Sequence, residues 1–405
     1  MLKSKSKTVL LATSVTMMAV GLIIFPQESF EASKGGLNMW WTIVFPSLLP
    51  FLIFSELLIS FGVVRFIGVM LEPFMRPLFR VPGVGGFVWA MGLASGFPAG
   101  AKFTVRLRQE EQLTRIEAER LVCFTNSSNP LFLFVAVAVG FFHNPHLGII
   151  LALSHYLGNF CVGIIMRFYR WKEEKSHTKV MTKLPSIRQA FSQMHRTRLK
   201  ETRPFGSLLG DAVISSIQTL LMIGGFIILF SVVNKLLFHM NITGLLASGV
   251  GGILHIFNFP DSLSLPFISG MFEMTLGSKL TSTVEDATLF QQTVMTSFIL
   301  AFNGFSIQAQ VASIIAATDI RFTPFFLARI AHGLLASIIT VLLWEPLYKG
   351  NRYSGSPINA FPVSGSGEHA NSLYQNMLDF GPILTLVFLT LYIIIYTKRL
   401  FKGLS

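Results

Sequence analysis

Runs of about twenty apolar residues recur along this chain, and several are interrupted near their centres by glycine, proline or asparagine. A helical run of that length matches the ~30 Å hydrocarbon core of a bilayer. In lipid, only helices and closed barrels satisfy their own backbone, and a break is tolerated only where protein or a wet cavity covers it. The runs therefore restrict the chain to a multi-pass helical membrane protein. The breaks mark where it meets something other than lipid. Composition agrees: 52% of the 405 residues are apolar, 39 are Phe and only 13% are charged, about half the share in a soluble protein. A soluble enzyme, a disordered chain and a fibrous protein are excluded.

The net charge of +12 comes from 32 basic and 20 acidic residues, and +8 of it lies in residues 167–203, which hold eleven basic and three acidic side chains. A short basic loop between spans is the positive-inside signal and places that loop in the cytoplasm. Anionic lipid headgroups are a secondary partner for it. Its confinement to one loop argues against nucleic acid. Cys123 and Cys161 lie in apolar runs and imply no disulfide or metal framework. No cofactor is expected.

The predicted fold is an all-α integral membrane protein of about eight transmembrane helices with two inverted repeats. Residues 1–38 form an N-terminal transmembrane anchor that resembles a signal peptide but has no convincing cleavage site. Residues 39–168 form a first Gate-like unit. It comprises a span over 39–64 bent by Pro46 and Pro50, an amphipathic interfacial helix over 65–86, and a short re-entrant segment over 87–100. A span broken at 126–130 follows, begun by a capping box at Thr114 and Glu117, and then a span over 147–168. A basic cytoplasmic linker occupies 169–210. Residues 211–345 form a second, inverted unit with the same order: a span over 213–238, a helix over 244–258, a short segment over 265–280, a span over 291–317 broken at Asn303-Gly304, and a span over 324–344. An extracytoplasmic loop over 346–380 and a C-terminal transmembrane helix in 381–405 complete the chain.

The repeat is visible in individual residues. Gly-Ala-Lys-Phe-Thr at 100–104 recurs as Gly-Ser-Lys-Leu-Thr at 277–281, and the same displacement of 177 residues takes Asn126 to Asn303 and His155 to His332. Only six of 66 positions from 95 to 160 are identical without gaps, so the argument rests on their kind: polar residues inside apolar segments, each at a break or within a span. Each unit has three full crossings, so the second must be inverted relative to the first. Inverted repeats with broken helices are the pattern of secondary transporters. The Gly-x-Lys-x-Thr motif lacks phosphate-loop spacing and follows no strand, which excludes nucleotide hydrolysis.

A charge inside the membrane costs at least about 2.5–3.5 kcal/mol, so it faces protein or a wet cavity. A pseudo-twofold would assemble Lys102 and Lys279, His155 and His332, Asn126 and Asn303, with Ser127 adding a hydroxyl and interrupted helices adding N–H groups. Such a site suits a small anion, including one with two negative groups. Glu273 is a candidate for a coupling proton or for pairing with Lys279; Glu56 is a second coupling candidate or a partner for a lysine. Plainer roles stand beside these: interface snorkelling for the lysines, carbonyl bonding for the histidines, helix capping for the asparagines. Arg329 is expected to anchor its span at the interface. No acidic pair, nucleophile–base set or metal-ligand spacing supports an enzyme.

Three motifs carry a family resemblance: Leu-Glu-Pro-Phe-Met-Arg-Pro-Leu-Phe at 71–79, Gly-Leu-Ala-Ser-Gly-Phe-Pro-Ala-Gly-Ala-Lys at 92–102 and Asn-Ser-Ser-Asn-Pro at 126–130. With them, essentially the whole chain resembles the YlbJ family of sporulation integral membrane proteins, in the nucleoside-recognition or Gate group. The resemblance implies a role in endospore maturation in the mother-cell-derived outer forespore membrane. There it implies movement of dipicolinate, a small planar dianion, from the mother cell toward the forespore, supporting cortex formation and heat resistance. Lys102, Asn126 and Ser127 fall in the matching motifs, whereas His155, His332, Lys279 and Glu273 rest on the repeat. Two alternatives stay open. One is a non-transporting factor for cortex assembly that recruits partners through the basic loop, with a second copy or other sporulation membrane proteins as candidates. The other is a nucleoside-type solute carrier, because the Gate repeat is shared with nucleoside carriers and ferrous-iron permeases.

Overall fold

The computed structural model describes residues 2–173 and 186–349. Residues 174–185 of the basic linker, most of the expected loop over 346–380 and the expected last span in 381–405 lie outside the described residues. All regular structure among the described residues is helical. Helices α1 (Leu2–Ile24) and α2 (Pro26–Met39) meet at a bend of 102°, where Pro26 starts the second helix without needing an N–H partner. Helix α3 (Phe45–Ser60) turns by 82° into α4 (Val63–Phe79). The hinge is Gly62, at a φ of 76°.

Then come the short pair α5 (Val84–Ser95) and α6 (Ala99–Gln109), helix α7 (Arg115–Thr125), a π-helix (Phe132–Phe141) and α8 (Leu147–Met166). Sequence reasoning treats 169–210 as a linker only. The structure builds α9 (Ile187–Lys200) within it, started by a Ser186/Gln189 capping box and packed on α4. The second unit holds α10 (Phe205–His239), α11 (Ile242–Ile256), α12 (Ser264–Phe272), α13 (Met274–Ser282), α14 (Leu289–Phe302), α15 (Gly304–Ile315) and α16 (Phe322–Leu343).

By length and composition, four helical segments can cross a membrane, or six when each bent pair counts as one span. The eight expected spans include two that fall outside this count. One is assembled from the short α7 and the π-helix; the other lies beyond the described residues.

The two units run in opposite senses. Helices α8 and α16 pack side by side. At one end, Arg321, just before α16, donates to the hydroxyl of Tyr169, just after α8, at 2.7 Å. At the other, Asn144, before α8, donates to the hydroxyl of Tyr348, after α16, at 2.8 Å. The pair is therefore antiparallel, although α16 holds in the second unit the place of α8 in the first. Two further sets of contacts are reciprocal. Helix α16 packs on α7 and α8 on α14; α6 packs on α15 and α13 on the π-helix. A buried core of Phe79, Phe87, Phe103, Phe124 and Leu121 fills the first unit, with Phe79 stacked on Phe124 at 4.5 Å. Lipid offers no hydrophobic drive for helices to associate, so close approach at small residues has to supply the packing.

Candidate functional site

The site is built around the end of α7. Helix α5 stops at Ser95 because Gly96 adopts a φ of 80°, which glycine alone tolerates cheaply. Gly92 of α5 and Gly100 of α6 both press on the carbonyl of Thr125, and a Cβ on either would overlap that oxygen. Helix α7 then ends at Asn126, whose backbone is extended. Asn129 restarts helical structure by accepting from the Phe132 N–H at 2.8 Å, and its amide reaches Ser95 O at 3.4 Å.

A helix end leaves its last four carbonyls without partners and carries about half a negative charge. Here side chains from α8 and α16 take them up. Asn159 donates to Phe124 O at 2.7 Å. Arg329 donates to Asn126 O at 2.8 Å and to Cys123 O, with a longer bond to Asn159 Oδ1 at 3.3 Å. Arg329 also donates to His332 Nδ1 at 3.1 Å, and its guanidinium lies 5.3 Å over the Phe325 ring. Arg329 is fully buried.

An arginine can only donate, so His332 accepts at Nδ1 and carries its proton on Nε2. That nitrogen meets His155 O at 2.8 Å. His155 in turn accepts from the Ser128 N–H through Nε2 at 3.0 Å, which leaves its proton on Nδ1. The two rings are 4.8 Å apart. Around them, several buried polar atoms have no partner among the described residues: His155 Nδ1, both side-chain atoms of Asn126, the hydroxyls of Ser95, Ser127, Ser128 and Ser154, and Arg329 Nε. Removing a polar group from water without a partner costs roughly 1–3 kcal/mol, so this concentration of unmet capacity stands out. Clefts of about 910 Å³ beside Glu31, Lys34, Trp40 and Trp41 and of about 580 Å³ between α4 and α9 involve none of these residues. The cluster is closed from outside in this conformation.

The second unit solves its breaks differently. Glu273 caps α13, accepting from the N–H groups of Thr275 at 3.0 Å and Leu276 at 2.7 Å. Asn303, at a φ of 76°, ends α14. With its amide nitrogen turned inward it donates to Leu300 O at 2.7 Å and Ala301 O at 3.1 Å. Gln308 donates to Phe302 O at 3.1 Å.

Of the residues expected at one site, the structure gathers Asn126, Ser127, His155 and His332 and buries all four. Asn303 is buried at its own break. The two lysines are not paired. Lys102 binds Glu56 at 2.9 Å and Ser215 Oγ at 3.3 Å, between α3 and α10. Lys279 is exposed on α13 and joins no ion pair among the described residues. Glu273 makes no bridge to Lys279, because its carboxylate is spent on the first turn of α13. Glu56 is the partner of Lys102. Arg329 requires a correction: it is a fully buried group at the heart of the site, drawn there by the α7 carbonyls, and no interface anchor. Sequence reasoning missed it, although it lies three residues before His332 in the apolar run 322–343, a spacing that puts both on one helix face.

At the end nearest the basic loop, a second polar group joins the units. Glu119, fully buried, accepts from Arg321 Nε at 2.8 Å and from the Tyr169 hydroxyl at 2.9 Å. Arg108 makes a two-pronged bridge to Asp319 at 2.9 and 2.8 Å. The Arg108 guanidinium holds the Asp319 carboxyl below its ordinary value.

Comparison with known proteins places this geometry. The model of the Gate family, described as nucleoside recognition, matches residues 41–144 and again 220–320. The sporulation integral membrane protein YlbJ of Bacillus subtilis (strain 168) is 55% identical over 99% of this chain and 98% of its own. This chain belongs to the YlbJ family. No solved structure matches it. The two Gate segments start 179 residues apart and end 176 apart, bracketing the displacement of 177 between His155 and His332. In this YlbJ family member, then, each Gate segment contains one short helix pair and one helix break, and α8 and α16 flank the junction. The cluster at the end of α7 draws on the first Gate segment for Ser95 and Asn126 to Ser128. It draws on the helices just beyond the two segments for His155, Asn159, Arg329 and His332.

Proposed function

We propose that this chain is a transporter that moves a small anion across the outer forespore membrane, with dipicolinate carried from the mother cell toward the forespore in support of cortex formation and heat resistance. The observation that carries the reading is the buried cluster at the end of α7. Its unpartnered atoms are mostly donors: a guanidinium N–H, an imidazole N–H, an amide and several hydroxyls, against one amide oxygen. A ligand rich in acceptors and bearing negative charge matches that set. The cluster lies at a helix break beside the junction of two inverted repeats, where secondary transporters bind their cargo. The name of the Bacillus subtilis relative supports the sporulation setting.

The test is uptake of labelled dipicolinate into proteoliposomes holding only the full chain, with a nucleoside as control. Saturable uptake of dipicolinate and none of the nucleoside is the expected result. Uptake of the nucleoside alone would follow the Gate description instead. No uptake of either by folded protein under an imposed ion gradient would refute transport and favour a cortex-assembly factor.

A further inference from the structure

We propose that Arg329 is the fixed positive charge that receives a carboxylate of the cargo and makes the site select anions by their charge. This rests on the transport reading and names the residue that carries its specificity.

The argument begins with what Arg329 lacks. Its partners are Cys123 O, Asn126 O, Asn159 Oδ1 and His332 Nδ1, all of them neutral. It joins no ion pair with a carboxylate among the described residues, although it is fully buried. A buried charge is ordinarily paired, because dipoles alone leave part of its desolvation unmet. Its Nε–H, buried as well, has no partner. Arginine presents its N–H groups as a planar fork matched to carboxylates, and one prong of that fork is free.

The second repeat provides an internal control. Helix α14 also ends inside the protein, and its last carbonyls are taken up by Asn303 and Gln308, both uncharged. Satisfying the carbonyl end of a broken helix in this fold therefore needs no charge. The position 177 residues before Arg329 is Ala152 on α8, so the guanidinium has no counterpart in the first unit. A charge placed in one repeat alone, beside unpartnered donors from Asn126, Ser127, Ser128 and His155, has the chemistry of a carboxylate receptor. One carboxylate on Arg329 leaves those donors for the rest of the ligand.

The experiment measures ligand-induced thermal stabilisation of the purified full chain in lipid nanodiscs. Ligands are dipicolinate, its monocarboxylate picolinate, the uncharged diamide of dipicolinate, and the aliphatic dicarboxylates malonate and glutarate. Proteins are the wild type, Arg329→Gln and Arg329→Lys. In the wild type, dicarboxylate is expected to bind more tightly than the diamide. Arg329→Gln should weaken dicarboxylate binding on the order of 100-fold and leave the diamide within a few-fold. Arg329→Lys should keep the preference for charge but lose part of the affinity.

An unchanged ratio of dicarboxylate to diamide affinity in Arg329→Gln would overturn the assignment. So would parallel loss of every ligand in a variant that melts like the wild type. If Arg329→Gln fails to fold, Arg329→Lys decides, because a lysine that abolishes charge selection as well as affinity would mark a purely structural arginine. Stabilisation by aliphatic dicarboxylates alone, dependent on Arg329, would uphold the assignment while removing dipicolinate as the cargo. No anion stabilising the folded wild type would overturn it.

Discussion

Replacing Gly100 by alanine tests whether the helix breaks are held by direct backbone contact. A Cβ at Gly100 would overlap Thr125 O and lie 2.5 Å from the carbonyl carbon. Carbon atoms in contact prefer about 3.5–4.0 Å, so α6 and α7 must part by about 1 Å. The obstructing atoms are backbone, which cannot swing aside as a side chain would. Overpacking of this kind costs roughly 1–3 kcal/mol or more, while alanine returns up to about 1 kcal/mol of helix propensity. The net expectation is a loss of about 1–2 kcal/mol, together with displacement of Asn126, the residue next to the contact. Gly92→Ala meets the same oxygen, so the two changes should not add.

Gly225 in α10 supplies the opposite case. Nothing lies within 4 Å of a Cβ there, and Gly225→Ala should stabilise by up to about 1 kcal/mol. Thermal unfolding of the purified full chain in detergent, followed by tryptophan fluorescence, measures all three. Gly100→Ala melting with or above Gly225→Ala would refute the contact between α6 and the end of α7.

Other outcomes follow from the ionic groups. Glu119→Gln should lower stability by about 1–3 kcal/mol, since the buried carboxylate holds charge-assisted bonds from Arg321 and Tyr169; an unchanged melting temperature would show that the network contributes nothing. The Asp319 carboxyl sits below its ordinary value of 3.8 beside Arg108, so the stabilisation it gives is present above that value and disappears as the pH falls through the lower folded-state value. Both groups are partly exposed and the effect is at most ~1 kcal/mol; the difference between Asp319→Asn and wild type in denaturant midpoint should be measurable at neutral pH and vanish in strong acid. Lys102→Gln should destabilise by stranding Glu56, and a Lys102→Gln, Glu56→Gln double variant should recover most of the loss. If the double variant instead melts below the single one, the pair is not a self-contained unit.

Much of the architecture was legible because it rests on local signals. The apolar runs, the Thr114 and Glu117 capping box and the glycine-proline breaks each act over a few residues, and the helices begin and end there. The repeat was legible as a displacement, but a displacement gives equivalence and says nothing about proximity. His155 and His332 meet because they sit where α8 crosses α16. Lys102 and Lys279 lie away from that crossing, so the same operation leaves them in different surroundings, one against Glu56 and the other exposed. Arg329 was misjudged for a related reason. Hydropathy charges it the full cost of burial, whereas the carbonyls of α7, some 200 residues earlier, meet part of that cost, and only the tertiary fold puts them within reach.

The two ends of the α8–α16 pair are fastened by different groups. Arg321 occupies in the second repeat the position that Asn144 occupies in the first. The end beside the basic loop is closed by a guanidinium, a buried carboxylate and a phenol, and the bond from Asn144 to Tyr348 lies at the far end. A perfectly duplicated inverted chain would have two openings of equal energy and no preferred side. In halves that have diverged the two openings need not cost the same, and parting the units at the loop end means separating the Arg321–Glu119 ion pair. That ion pair has no counterpart under the repeat, because Arg321 stands where the first half has Asn144 and Glu119 stands where the second half has Thr296.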